Sequence, residues 1–159
     1  MEKREKNKMN ALISNLIQRA KEDQVKKLSV GAVLMHEGKI LMLKRRADDF
    51  MPNIYELPGG GLEANESLID ALERELEEET NCKIEKILGY IDHIDFPSSS
   101  RSLTRRYNFL VQPKLPMLIQ LTEHDNCMWL LPTQIVQYNI TQETQKIIKL
   151  FVDGCIHYF

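Results

Sequence analysis

A single α/β domain of the α+β kind, a mixed β-sheet with helices packed on it, is the fold class this sequence predicts. Three observations predict it. Two runs rich in Val, Ile and Leu flank Glu37 and Gly38 as the strands of a hairpin would. A triple glycine, Gly59 to Gly61, leads into a strongly acidic helical segment, and two later strand-like runs precede a helical C-terminal stretch. At 159 residues the chain is one ordinary domain, 1–159, long enough to bury a core without covalent staples.

The elements follow in order. Residues 1–9 are charged and read as a flexible N-terminal segment, followed over 10–21 by an extra helix with Leu12, Ile13, Leu16, Ile17 and Ala20 at helical spacing. The hairpin closes on Lys44, Arg45 and Arg46. Ile54 to Leu57 is a short strand stopped by Pro58, and the glycines behind it read as a loop. A helix runs from about Glu66 to Thr80. Ile84 to Phe96 and Thr104 to Val111 carry the β-branched and aromatic content of strands, with a turn at Pro97, Ser98, Ser99 and Ser100 between them. A polar loop from Thr122 to Asn126 leads to a short strand around Trp129. The last helix starts on Thr141 as N-cap, buries Ile147, Ile148, Phe151 and Val152, and ends at Gly154.

Composition excludes several classes. No apolar run approaches the roughly 20 residues of a membrane span, and the charged N-terminus lacks the apolar stretch of a secretory signal, so a cytoplasmic protein is expected. Cys82, Cys127 and Cys155 are odd in number and widely spaced, which argues against a disulfide framework or a zinc site and reads as small buried apolar residues. A net charge of −2 gives no basic surface for stable nucleic-acid binding, so a phosphate-bearing ligand needs local Arg, Lys or a cation.

The acidic helix carries the chemistry. At about 100° per residue, with Glu75 at zero, Leu68, Ile69, Ala71, Leu72 and Leu76 span an arc from about −40° to about 120° that must face the protein. Glu75 and Glu79 fall inside that arc, Glu78 lies at its edge, and Asp70, Glu73 and Glu77 point away as a solvated face. Glu75, Glu78 and Glu79 repel one another at i, i+3 and i+4, at the helix end that already carries negative dipole charge. Arg74 alone cannot neutralise three carboxylates. From the helix alone two readings stand: exposed glutamates that merely favour helix, or a site for a hard divalent cation such as Mg²⁺, which uses few carboxylates plus water and phosphate oxygens.

The spacing Gly60, Glu66, Arg74, Glu75, Leu76, Glu78, Glu79 resembles the Nudix box, G-x5-E-x7-R-E-U-x-E-E-x-G-U with U aliphatic. The chain departs from it at Asn81 and Cys82, where the family has Gly and an aliphatic residue, and Asn is the best-tolerated non-Gly residue in left-handed geometry. The resemblance extends to much of Val30 to Trp129. It implies an α/β/α sandwich with a mixed sheet and Mg²⁺- or Mn²⁺-assisted hydrolysis of a nucleoside diphosphate linked to another group.

On the same resemblance Glu78 and Glu79 are metal ligands, Glu75 is a further ligand or the base, Arg74 orients them, and the Gly60 carbonyl approaches the metal. Glu66 supports the loop. Glu123, by its distance before Trp129, is an additional metal-binding or catalytic glutamate, while His124 and Asp125 are read as solvated. Arg105, Tyr107 and Phe96 are substrate-binding candidates, although Arg105 and Arg106, as neighbours on a strand, cannot both face one pocket. Arg45 and Arg46 are expected to pair with surface acids.

The expected substrate is a small-molecule nucleotide, first a nucleoside triphosphate, oxidised ones included, cleaved to monophosphate and pyrophosphate. ADP-ribose or a nucleotide sugar is the alternative, with Pro97 placed like a marker of ADP-ribose hydrolases. A non-catalytic nucleotide sensor is the alternative of another class, disfavoured because the box carboxylates are all present. The family's frequent dimers make a homodimer the assembly the resemblance suggests.

Overall fold

A computed structural model describes residues 2–98 and 101–159. In chain order the elements are α1 (Glu2–Glu22), β1 (Lys27–His36), β2 (Lys39–Arg45), β3 (Tyr55–Glu56), β4 (Gly59–Gly61), α2 (Leu68–Thr80), β5 (Ile84–Pro97), β6 (Leu103–Pro113), β7 (His124–Leu130), α3 (Pro132–Ile135), α4 (Gln142–Val152) and β8 (His157–Tyr158). The sheet runs β3-β2-β1-β6-β5-β8, with β4 on β1 and β7 on β2. It is mixed, because β1 and β6 run parallel from Lys27↔Thr104 to Leu34↔Val111 while the other pairs are antiparallel.

One feature of the pairing positions the site. β1 and β2 pair only beside their turn, at Met35↔Ile40 and His36↔Lys39, and then separate. β2 continues against β7 and β3, whereas β1 takes β4 through Ser29↔Gly61, Val30↔Gly60 and Gly31↔Gly59. The sheet is thus split, and the glycine segment fills the gap.

Side-chain alternation on the strands gives two cores and an α/β/α sandwich. Val30, Ala32, Leu34, Tyr107, Phe109 and Val111 pack with Leu68, Ala71, Leu72 and Leu76 of α2, and α1 adds Leu12, Ile13, Leu16 and Ile17. On the opposite face Val33, Ile40, Met42, Ile91, Ile94 and Leu110 pack with Ile135, Ile147 and Ile148 of α3 and α4.

Several expectations change. The N-terminal helix begins at Glu2 rather than Asn10: its charged residues are good helix formers, Glu2 and Glu5 complement the N-terminal dipole, and Glu5 pairs with Lys86 at 3.3 Å. The glycines expected as a loop form β4, since a backbone ladder needs no side chains. The segment read as a polar loop is already strand from His124. Cys155 is exposed, unlike Cys82, because it follows the end of α4 where no layer covers it. Of the turn expected at Pro97 to Ser100, Ser99 and Ser100 lie outside the described residues. Among the described residues no helix is long and apolar enough to cross a membrane.

Candidate active site

Helix α2 is fixed at both ends by local chemistry. Ser67 is the N-cap, its hydroxyl accepting from the Asp70 N–H at 3.1 Å, and Asn81 closes the helix in left-handed geometry with φ 64°. Between them Arg74 is a hub. Its Nε and Nη2 donate to the two oxygens of Glu66 at 2.7 and 2.8 Å, Nη1 donates to Glu75 at 2.9 Å and Glu78 at 3.2 Å, and Nη2 also donates to the Gly61 carbonyl at 3.0 Å. Glu66 in turn accepts from the Glu63 N–H at 3.0 Å, and Arg74 above all holds its carboxyl down at about 2.

The three box glutamates differ in burial as their helical angles require. The Glu78 side chain is 58% exposed, Glu75 16% and Glu79 7%. Glu79 therefore bears the desolvation cost. Its Oε1 accepts only a long 3.3 Å hydrogen bond from the Gly59 N–H, and burial pushes its pKa up to about 7 against the pull of His124. Gly60 lies under Glu75 so closely that a Cβ there would overlap the Glu75 carboxylate. The Gly60 carbonyl accepts from the Ser29 hydroxyl at 2.9 Å.

Across the split in the sheet, Glu56 and His124 face Glu79. His124 Nε2 lies 2.8 Å from Glu56 Oε1, and its Nδ1 lies 3.7 Å from Glu79 Oε2. Burial opposes charge on both Glu56 and His124, but their mutual hydrogen bond, with Arg45 beside Glu56 and Glu79 beside His124, outweighs it. Glu56 is held below its ordinary pKa and His124 above. Arg106 reaches the same place from β6, its Nη2 donating to the carbonyls of Leu57 at 2.9 Å and Pro58 at 3.3 Å. Gly31 leaves the room for it, since a Cβ there would strike Arg106 and Asn108. Glu56, Glu79 and Glu75 act on Arg106 through space, yet among the described residues it makes no ion pair. Arg106 also lines a cavity of about 340 Å³ with Phe50, Phe96, Asn108, Thr144 and Ile147.

The residues expected from sequence fall into three groups. Arg74, Glu75, Glu78, Glu79 and Gly60 come together at the end of α2. Glu123 sits exposed immediately before β7, where its charge acts on His124. Of the substrate candidates only Phe96 lines the cavity. Arg105 is bound by Asp95 at 2.7 and 2.9 Å and by Asp23 at 2.9 Å, and Tyr107 is fully buried with its hydroxyl donating to the Leu16 carbonyl at 3.2 Å; both are core residues facing α1 and turned away from the cavity.

The residues that do reach the split in the sheet are Arg106 and Glu56, which line the cavity, and His124, which faces Glu79. Alternation along β6 was a signal for the first, since Tyr107, Phe109 and Val111 carry Arg105 with them to the α1 side. His124 was read as solvated and is 9% exposed. Arg45, expected to pair with a surface acid, pairs at 2.9 Å with Glu56, which lines the cavity with it, whereas Arg46 donates to the Thr122 carbonyl at 2.7 Å and among the described residues meets no acid.

Glu75, Glu78, Glu79 and the Gly60 carbonyl are oxygen donors of the kind a hard divalent cation takes, and the poorly satisfied Glu79 carboxylate fits one. Among the described residues no three acidic, His or Cys side chains converge into a cage. A cation held here would have to complete its shell with water and phosphate oxygens, as Mg²⁺ commonly does.

Carboxylates on one side and an unpaired guanidinium over a cavity on the other give this site the chemistry of a phosphate-handling hydrolase. The NUDIX domain family model matches residues 25–151, and the chain belongs to the Nudix hydrolase family, enzymes that cleave diphosphate bonds in nucleoside diphosphate derivatives. The chain is 30% identical over 127 residues to CTP pyrophosphohydrolase of Escherichia coli (strain K12), a match covering 77% of this chain and 89% of that protein. The solution structure of the E. coli ORF135 protein superposes with a TM-score of 0.71 at 26% identity, covering 82% of this chain and 92% of that one. The NUDIX domain of Shewanella oneidensis NrtR, solved with ADP ribose, shares the fold with a TM-score of 0.66 at 20% identity, over 82% and 88%. The family match begins after α1, which stands outside it.

Proposed function

We propose that this chain is a Mg²⁺-dependent hydrolase of nucleoside triphosphates, oxidised ones included, with Mn²⁺ able to replace Mg²⁺, giving the nucleoside monophosphate and pyrophosphate. The observation that carries the proposal is the placement, across the split sheet, of a buried carboxylate, Glu79, and of a guanidinium with no ion-pair partner among the described residues, Arg106, at the head of a cavity. A cavity of about 340 Å³ is at the small end of the roughly 300–1,000 Å³ of ligand sites and suits one nucleoside better than two. The E. coli relative matched over most of its length is named for CTP.

Glu79, Glu78, Glu75 and the Gly60 carbonyl would hold the cation, joined by Glu123, and the bound cation would neutralise charge on the phosphate oxygens. Arg74 keeps Glu75 and Glu78 in place. Arg106 binds phosphate oxygens, and the nucleoside occupies the cavity against Phe96. In the reaction the water oxygen bonds to one phosphorus of the bridge, the bridging P–O bond breaks, and its oxygen leaves with the other phosphoryl group. The water proton passes to a carboxylate, Glu75 or Glu123.

Product analysis across ribo- and deoxynucleoside triphosphates, ADP-ribose, nucleotide sugars and dinucleoside polyphosphates, with Mg²⁺, Mn²⁺ or chelator, tests the reading. Monophosphate and pyrophosphate from triphosphates, abolished by chelator, is the expected result. Preference for ADP-ribose or a nucleotide sugar overturns the substrate class, and binding without turnover makes the chain a sensor. Glu79→Gln should lower kcat on the order of 100-fold or more while the circular dichroism spectrum is preserved; an unaffected rate sinks the site assignment.

A further inference from the structure

The sequence motif does not include the hydrogen-bonded chain behind Glu79. It starts at the Phe50 carbonyl, which accepts from Arg45 Nη1 at 2.7 Å, and Arg45 Nε donates to Glu56 Oε2 at 2.9 Å. The other Glu56 oxygen holds His124 Nε2 at 2.8 Å. On the far side of the imidazole, Nδ1 is buried, has no hydrogen-bond partner among the described residues, and faces Glu79 Oε2 at 3.7 Å. His124 enters from the first residue of β7, Glu56 from β3 and Arg45 from the end of β2, and the register places Arg45 opposite His124.

A buried ring nitrogen without a partner costs stability, roughly 1–3 kcal/mol for a polar group left unsatisfied. A buried polar atom without a partner calls for an explanation, and a role at an adjoining site is one. The neighbour in reach is the buried Glu79 carboxylate, which on its other side has only the long contact to Gly59. A carboxylate that carries a metal or phosphate load must be held in one rotamer, and outer partners commonly do this.

We infer that His124 is a positioning residue for Glu79, locked by Glu56 and Arg45, and that this chain couples the carboxylate to the loop over the nucleotide cavity. The inference rests on the reading of Glu79 as a metal ligand. Glu56 fixes the ring by its hydrogen bond to Nε2, the ring limits the rotation of the Glu79 carboxylate, and Arg45 joins both to Phe50 at the cavity rim. His124 touches neither water nor substrate in this scheme.

The test uses the full chain with Glu79→Gln, His124→Ala, Glu56→Ala and Glu56→Gln. Mn²⁺ binding is read directly from the electron paramagnetic resonance signal of free Mn²⁺, and kcat, KM and the thermal midpoint are measured beside it. The expected result for His124→Ala is Mn²⁺ affinity and kcat each reduced by about 10- to 100-fold, with KM for the triphosphate within about two-fold, the scale of outer-partner losses at metal sites. Glu56→Ala should follow His124→Ala, and Glu56→Gln, whose carbonyl still accepts from Nε2, should recover most of the loss. His124→Ala with parental Mn²⁺ affinity and kcat overturns the inference, as does a loss in Glu56→Gln equal to that in Glu56→Ala, or a lowered thermal midpoint with unchanged Mn²⁺ affinity in the folded fraction. If Glu79→Gln itself binds Mn²⁺ like the parent, the metal-site reading fails instead.

Discussion

Arg105 and Arg106 are neighbours on β6, and the sheet sends them to opposite faces with opposite fates. Arg105 points toward α1 and is committed there: a two-pronged hydrogen bond to Asp95 and a third to Asp23 hold its buried guanidinium away from the cavity. Arg106 points toward α4 and holds only the backbone carbonyls of Leu57 and Pro58, with carboxylates near but none paired. The difference teaches that what an arginine's environment leaves undone is a better guide to function than its charge. One arginine ties the extra N-terminal helix to the domain; the other lines the cavity with no ion-pair partner among the described residues.

The comparison breaks most visibly at Arg106. Arg106→Ala is expected to lower kcat/KM for a nucleoside triphosphate on the order of 100-fold, the scale of losing one charged donor to a reacting phosphate, while the urea midpoint stays close to the parent's. Arg106→Lys, which keeps the charge without the fork, should recover only part of the loss. Phosphate-release kinetics check both, and parental kinetics in Arg106→Ala would place the phosphates elsewhere.

Arg105→Ala should do the reverse. Losing hydrogen bonds to two carboxylates at a 7%-exposed side chain costs about 2–3 kcal/mol of stability. Activity per folded molecule should remain parental, as read by urea denaturation and active-site-normalised kinetics. A large kcat loss in fully folded Arg105→Ala would erase the distinction between the two faces.

How far the sequence alone reaches is itself uneven between these faces. The helical angle of each glutamate on α2 was legible, and burial follows it, with Glu79 inside the arc and Glu78 at its edge exposed. Arg74 as their organiser was implied by the family resemblance. The hairpin, the long strands and the Thr141 cap were legible from local pattern. His124 was not, because Glu-His-Asp reads as a polar loop unless one knows that Glu56 and Glu79 meet it from distant parts of the chain. Tyr107 failed in the opposite sense: its chemistry suits a nucleobase, but its place in the alternation with Phe109 and Val111 makes it core. The start of α1 at Glu2 is hidden in the sequence because a run of charged residues suits a flexible segment as well as a helix.

Asp95 allows the finest test of the comparison, through pH. The Arg105 guanidinium, by hydrogen bond before anything else, holds its carboxyl below the usual carboxylate range, against a modest opposing effect of burial. Because the folded-state pKa is depressed, the stabilisation is full above the unfolded value of about 3.9 and is lost as pH falls through the lower folded value. Asp95→Asn should therefore lower stability by about 1–2 kcal/mol at neutral pH, since Asp23 still holds Arg105. The gap to the parent should close progressively below about pH 4 as the parent's own Asp95 takes up its proton. Urea midpoints of the two proteins between neutral pH and acid measure that closure. A gap that persists unchanged into acid would mean that Asp95 acts through packing rather than charge, and that the ion pairs of Arg105 are not what holds this face together.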